Sequence, residues 1–352
     1  MYIRSTGNIS PQITFGHQPL LSDPVIHSGN RLYCKEPEYK DIIDVKMIRR
    51  MSRIIRMGVA AAFECLAEAD VKQPGAIVTG TAYGCLEDTG VFLTRMVEFK
   101  EELLTPTAFI QSTHNTIGAQ IGLMLACNNY NNAFVHRGFS FESALMDARL
   151  LLDEQEASDV LVGAIDEITD ISHAILQRMG LYKTGHGSNL DIFSSGTKGT
   201  IAGEGAAFFL VSNEHAAGDY AKLDAFTTFY KPNSYDEIEK RITDFIQGNS
   251  LQFSDIDLVI TGKNGDQSHD QVYERLHESV FRGIGTVNYK QLCGEYPTST
   301  GFACWLAACI LRDAAVPAII VPAENNPGNP RRILVYNHYL GIHHSLFLLS
   351  AC

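Results

Sequence analysis

The amino-acid sequence predicts an α/β fold, and three observations carry that expectation. Short aliphatic runs alternate along the chain with longer stretches of helical periodicity. The run Ala76-Ile77-Val78-Thr79-Gly80 reads as a buried strand entering a glycine turn that ends at Gly84. At 352 residues, 45% of them hydrophobic and 19% charged, the chain exceeds one ordinary core of about 100–200 residues and is far from the composition of a disordered polypeptide.

In chain order, the pattern predicts a long helix from Asp44 to Asp70, whose second half is apolar through Ala60, Ala61, Ala62, Phe63, Leu66 and Ala67. After the Ala76–Gly80 strand come a small-residue helix from Ile117 to Leu125 and a short strand from Asn132 to His136. A helix beginning at Ser140 and running to about Glu156 follows, then strands at 159–164 and 208–211. The second half repeats the theme with strands at 223–230 and 257–261, a helix from Asp270 to Val280 and an apolar helix from Gly301 to Ala315. A strand from Ala318 to Pro322, a loop from Pro322 to Pro330 rich in Asn, Pro and Gly, and a hairpin pairing 331–337 with 345–349 complete the reading. The alternation implies a largely parallel sheet covered on both faces, in two halves, 1–215 and 216–352, joined near 213–219.

Composition excludes several function classes. With 28 Lys+Arg against 40 Asp+Glu the net charge is -12, whereas nucleic-acid binding requires a basic surface that displaces counterions. No stretch approaches the roughly 20 apolar residues that span a bilayer, and the polar start from Met1 to Pro11 has no signal-peptide core, so a cytoplasmic protein is expected. The eight cysteines, at 34, 65, 85, 127, 293, 304, 309 and 352, form no C-x-x-C pair and sit mostly in apolar runs, which reads as reduced, buried cysteine with neither disulfides nor a metal site. No cofactor is expected.

Against the acidic background one basic stripe stands out. Lys46, Arg49, Arg50, Arg53 and Arg56 recur at three- and four-residue spacing with no acid among them, which on a continuous helix places most of them along one face. The stripe reads either as an ordinary solvated face or as a dock for an acidic partner.

Several segments in sequential order resemble the β-ketoacyl synthase family of the thiolase superfamily. Val78-Thr79-Gly80-Thr81-Ala82-Tyr83-Gly84 is similar to its early strand and glycine turn, and 198–207, with Gly203-Glu204-Gly205-Ala206, to its G-E-G-A strand entry. Ser140 to Leu152 resembles the nucleophile helix, and Lys290-Gln291-Leu292-Cys293-Gly294-Glu295, followed by Gly301, the K-S-x-x-G-H segment. The resemblance implies the thiolase fold: two similar βαβ-based halves in a layered α-β-α-β-α unit. It also implies partners, namely an acyl carrier protein and a second subunit, either an active ketosynthase in a heterodimer or another copy in a homodimer.

Members of the family extend acyl chains with a cysteine at a helix N-terminus, two histidines that serve decarboxylation and the developing oxyanion, and an organising lysine. The chemistry is sound, because the helix dipole favours a thiolate and imidazoles supply donors where charge develops. Here the resemblance puts Ser140 at the cysteine, Gly262 at the first histidine and Glu295 at the second, whereas Lys290 matches the lysine. The stretch 337–345 also lacks the family's G-F-G-G-x-N loop.

A carboxylate in place of an oxyanion donor repels developing negative charge, so Glu295 disfavours condensation unless it is protonated or paired, and Lys290 is the expected partner. Ser140 reads as a helix N-cap, a role that contributes about 1 kcal/mol, or as a nucleophile that needs a base. His114, His136 and His269 are the candidate bases, and Glu142 suits the first helical turn. Three functions remain open: a non-condensing subunit of chain-length-factor type, with 111–125 at its dimer interface and tunnel floor, an acyltransferase or ketosynthase acylated on Ser140, and a scaffolding dimer.

Overall fold

The computed structural model describes the whole chain except residues 17, 18, 103, 105, 186 and 322–327. Among the described residues, ten strands form one sheet: β1 (Tyr2–Ile9), β2 (Ala76–Gly80), β3 (Tyr130–Phe134), β4 (Val160–Asp166), β5 (Gly205–Ser212), β6 (Ala221–Tyr230), β7 (Leu258–Thr261), β8 (Gly285–Asn288), β9 (Arg332–Tyr339) and β10 (His343–Ser350). Their order is β3-β2-β4-β5-β1-β6-β10-β9-β7-β8. Counted from each half's own first strand this is the order 3-2-4-5-1 twice, the two sets meeting where Tyr2 and Ile3 pair with Lys222 and Ala221.

The sheet is mixed, which corrects the expectation of a largely parallel one. Pairing is parallel only around β2 and around β7, and antiparallel elsewhere. Part of the difference lies in β1, which has no alternating pattern because its polar residues are buried along with its apolar ones. Ser5 donates to the Cys65 carbonyl at 2.7 Å, and the backbone N–H groups of Thr6 and Asn8 donate to the Glu68 and Glu64 carboxylates.

Three cores separate the layers. The helices Ser140–Asp153 and Thr300–Asp313 fill the central one, packed between the two halves of the sheet; every residue of the second from Thr300 to Leu311 is buried. The helices Arg53–Glu68 and Thr116–Met124 cover the outer face of the first half, and Tyr235–Gly248 and Gln271–Glu278 that of the second. This is the α-β-α-β-α layering of the thiolase fold.

Two further expectations are corrected. The long helix from Asp44 is broken: a single turn, Val45–Ile48, precedes the helix Arg53–Glu68, and Ser52 between them is extended with φ -65° and ψ 169°. The strand expected from Ala318 to Pro322 is a short 3-10 turn at Ala318–Ile320, in which the Ile320 and Val321 N–H groups donate to the Pro317 and Ala318 carbonyls; Pro322 itself lies outside the described residues. Of the loop 322–330, residues 322–327 are likewise outside the described residues.

Candidate functional site

Glu295 is placed by backbone geometry. Its N–H donates to the Ile201 carbonyl at 2.8 Å and its carbonyl accepts from the Gly203 N–H at 3.0 Å, so the segment after Lys290 lies against the G-E-G entry to β5. The two segments touch so closely that a Cβ on Gly203 would stand 2.0 Å from the Cys293 carbonyl oxygen, a contact only glycine permits. Glu204, in the same motif, is fully buried and accepts from the backbone N–H of Cys34 and of Ile168 at 2.9 Å each, as well as from the Arg53 guanidinium.

From there Glu295 meets Lys290. The fully buried ammonium donates to Glu295 Oε1 at 2.6 Å and to Ser299 Oγ, and Asn264 Nδ2 donates to Glu295 Oε2 at 2.6 Å. Lys290 Nζ also sits 5.0 Å from the centroid of the Tyr289 ring. Both carboxylate oxygens and the ammonium are therefore occupied by protein groups. Asn264 and Ser299 were not singled out from the sequence, because an Asn or Ser carries no pattern until the fold brings it to a charge.

Gly262, which the resemblance sets at the first histidine, has no room for a side chain. A Cβ there would lie 2.1 Å from Asn337 Oδ1, and that oxygen is itself held by the Tyr289 hydroxyl at 2.9 Å. The space in front of Glu295 is filled as well. Tyr83 and Tyr339 meet hydroxyl to hydroxyl at 3.3 Å, and Glu295 together with neighbouring groups raises the phenol pKa of Tyr182 and Tyr339, both shifts caused first by burial. Between Tyr83, Tyr182, Tyr296 and Asp166 a void of about 20 Å³ remains, enough for one water and too small for an acyl chain.

Ser140 does begin a helix, as anticipated, but it is held as part of the backbone turn before it. The turn Arg137–Phe139 precedes it, with Arg137 at φ +50°. The Ser140 hydroxyl accepts from the His136 N–H at 2.8 Å and donates to the Arg137 carbonyl at 2.9 Å, and the residue is fully buried. The β9–β10 hairpin closes over this turn: a Cβ on Gly138 would come within 2.9 Å of the Cβ atoms of both Tyr339 and His343. This hairpin stands where the family's glycine-rich loop was expected, and its aromatic residues fill the space.

No imidazole ring of the candidate bases bonds to Ser140; His136 reaches it through its backbone N–H alone. The His136 ring faces Ser143 Oγ at 3.5 Å, His269 pairs with Asp266 at 3.0 Å, and His114 lies exposed against Gly84. Thus the structure joins Lys290 to Glu295 and sets Gly262 against Asn337, while the hydrogen bonds of Ser140 reach none of them.

Glu142 is buried, which its favourable place in the first helical turn concealed. Its carboxyl is 2% exposed, has the hydroxyls of Thr300 and Ser345 beside it but outside hydrogen-bond geometry, and burial pushes its pKa up to about 7. It forms the floor of an open groove of about 680 Å³ lined by Phe134, Phe139, Met146, Leu150 and Phe226. Met146 and Leu150 are about half exposed, at 48% and 50%. Beside this groove lies β3, the outermost strand of its half, which pairs only with β2.

The basic stripe divides at the helix break. Arg53 is drawn inward to Glu36 and Glu204, and Arg56 lies over the Tyr39 ring at 5.5 Å. Lys46, Arg49 and Arg50 remain exposed on the turn before the helix. The single face of five cations is thus overturned, because the chain leaves helical geometry between the third and fourth of them.

Comparison with known proteins agrees with this architecture. Residues 33–190 match the family model described as "Beta-ketoacyl synthase, N-terminal domain". Over 100% of the chain the fold is similar to the ishigamide ketosynthase/chain length factor, with a TM-score of 0.82, 16% identity and 98% of that chain covered. A β-ketoacyl synthase from Burkholderia phymatum gives a TM-score of 0.77, 13% identity and 99% coverage of that chain. A ketosynthase of a type II polyketide synthase, solved with its acyl carrier protein as AntDE:AntF, gives 0.75, 14% and 99%. No curated protein matches the sequence significantly. The chain is a thiolase-fold protein. Over the whole chain its fold is that of these solved ketosynthase structures, and the family-model match is confined to residues 33–190.

Proposed function

We propose that this protein is a non-condensing ketosynthase-like subunit of chain-length-factor type, acting in fatty acid or polyketide biosynthesis beside an active, cysteine-bearing ketosynthase. One observation carries the reading: the Lys290–Glu295–Asn264 network saturates the position of the oxyanion-stabilising histidine with a paired carboxylate. An oxyanion formed there would meet negative charge instead of a donor. The buried, doubly hydrogen-bonded Ser140 supports the same conclusion. The unpaired edge of β3 and the groove beside it form the face for the partner subunit, whose strand would extend the sheet and cover Met146 and Leu150. In this reading the halves 1–215 and 216–352 act as one rigid unit. Lys46, Arg49 and Arg50 are the contact for an acidic acyl carrier protein.

The test is incubation with acyl carrier protein bearing a radiolabelled acyl group. The chain alone is expected to acquire no label, and the Ser140→Ala variant is expected to support product formation with the partner ketosynthase as well as the parent does. Label on the chain that disappears in Ser140→Ala would overturn the proposal and establish acyl transfer through Ser140.

A further inference from the structure

The connection between the two halves meets the end of the last strand at a cluster remote from the ketosynthase-like centre. His215 and Asp219 lie between β5 and β6, and Cys352 follows β10. An imidazole nitrogen, a carboxylate oxygen and the thiol sulfur all lie within 4.8 Å of one another. Residue spacing conceals the cluster, because the cysteine is separated from the other two by the whole second half.

Each of the three is held from behind. Asp219, buried, accepts the Ala216 N–H on Oδ2 at 2.7 Å, and its own N–H donates to the Ala216 carbonyl at 3.2 Å. The His215 ring stands edge-on to Tyr2, with centroids 5.0 Å apart and planes at 69°. The Ala351 N–H donates to the Arg331 carbonyl at 2.9 Å, which fixes the backbone leading into Cys352. Such outer contacts orient ligand atoms before a metal arrives. The nearest cation, Lys222, is engaged by Asp224 at 3.0 Å.

The donor set is chemically selective. A neutral imidazole, a carboxylate and a thiolate together carry two negative charges, matched to a divalent ion, and nitrogen and sulfur donors favour zinc-class metals over magnesium or calcium. Bonds of about 2.0–2.3 Å place tetrahedral ligands roughly 3.5 Å apart. His215 and Cys352 are exposed, so their side chains can rotate inward to that spacing. We propose that His215, Asp219 and Cys352 form a binding site for a divalent metal of the zinc class, with solvent completing the coordination. On binding, the Cys352 S–H bond breaks, its proton passes to solvent, and the sulfur lone pair forms the metal bond without any redox change. The ion would tie the connection between the halves to the end of β10.

The experiment uses the full chain, stripped with chelator and titrated with Co²⁺. Near-ultraviolet thiolate-to-cobalt absorption should saturate at one equivalent and vanish when Zn²⁺ is added. Cys352→Ser should abolish the absorption. His215→Ala should weaken binding at least as much as the 10–100-fold that loss of an outer-shell partner costs. The variants should keep the parent's circular dichroism, since both side chains are exposed. Absence of the band in the parent, or its persistence in Cys352→Ser, would overturn the proposal. A zinc-dependent rise in Tm equal in the parent and both variants would do so too.

Discussion

Replacing Lys290 by methionine tests the central claim about the site, that Glu295 is a structural partner and not a free acid. Lys290 is fully buried and supplies Glu295 Oε1 with its only cationic donor, at 2.6 Å. Methionine keeps most of the stem's packing against Tyr289 but leaves the carboxylate with Asn264 alone. Removing one member of a buried pair costs about 3–5 kcal/mol, because the other charge stays desolvated. Glu295→Leu should cost a similar amount through the stranded ammonium. In the double variant both charges are gone, and the remaining loss is the unmet hydrogen-bonding capacity of Asn264 and Ser299, about 1–3 kcal/mol for each buried group left without a partner. The double variant should therefore be more stable than the sum of the singles predicts, by about 4 kcal/mol at the middle of these ranges. Urea unfolding followed by circular dichroism, with midpoints compared at a common m-value, measures each corner of the cycle. Additive single effects, or a Lys290→Met cost below about 1 kcal/mol, would refute the reasoning and free Glu295 for a role on substrate.

Other predictions follow from particular contacts. Because burial raises the Glu142 pKa from the ordinary 4.5 to about 7, the folded state holds its proton more tightly. Its contribution is then present below pH 4.5 and lost as pH rises through 7, and Glu142→Gln should flatten that part of the stability profile, by about 3 kcal/mol between pH 4 and 8 in urea titrations. Gly262→Ala should destabilise by about 1–3 kcal/mol, since its Cβ overlaps Asn337 Oδ1. Thermal unfolding would show this, and an unchanged Tm would contradict the close packing at this position. Arg53→Ala should cost about 3–5 kcal/mol by stranding the buried Glu204, whereas Arg49→Ala should stay within about 0.5 kcal/mol. Arg49→Glu should weaken carrier-protein binding in a salt-dependent way, and binding indifferent to salt and charge would remove the docking proposal.

What the sequence determined by itself was the layout of apolar elements and the ketosynthase-like order of its motifs. Apolar runs and periodicity survive in a single chain wherever an element is buried, on one face as in the helix from Ser140 or all round as in the helix from Thr300 and the strands β2, β4, β5 and β10. The motif order also picks out Ser140, Gly262 and Glu295, and only the fold shows what surrounds each of them. The tertiary structure alone decided the rest. Strand β1 carries no alternation because its polar groups are buried on distant partners, and so the mixed sheet could not be read. The helix breaks at Ser52, and just beyond the break Arg53 turns inward to Glu36 and Glu204, which lie far from it in the chain. Whether Ser140 is open to substrate depends on Tyr339 and His343, which arrive from the far end of the chain. Periodicity records which face of an element is buried, but not which remote side chain covers it, and the state of this site is set by such covering contacts.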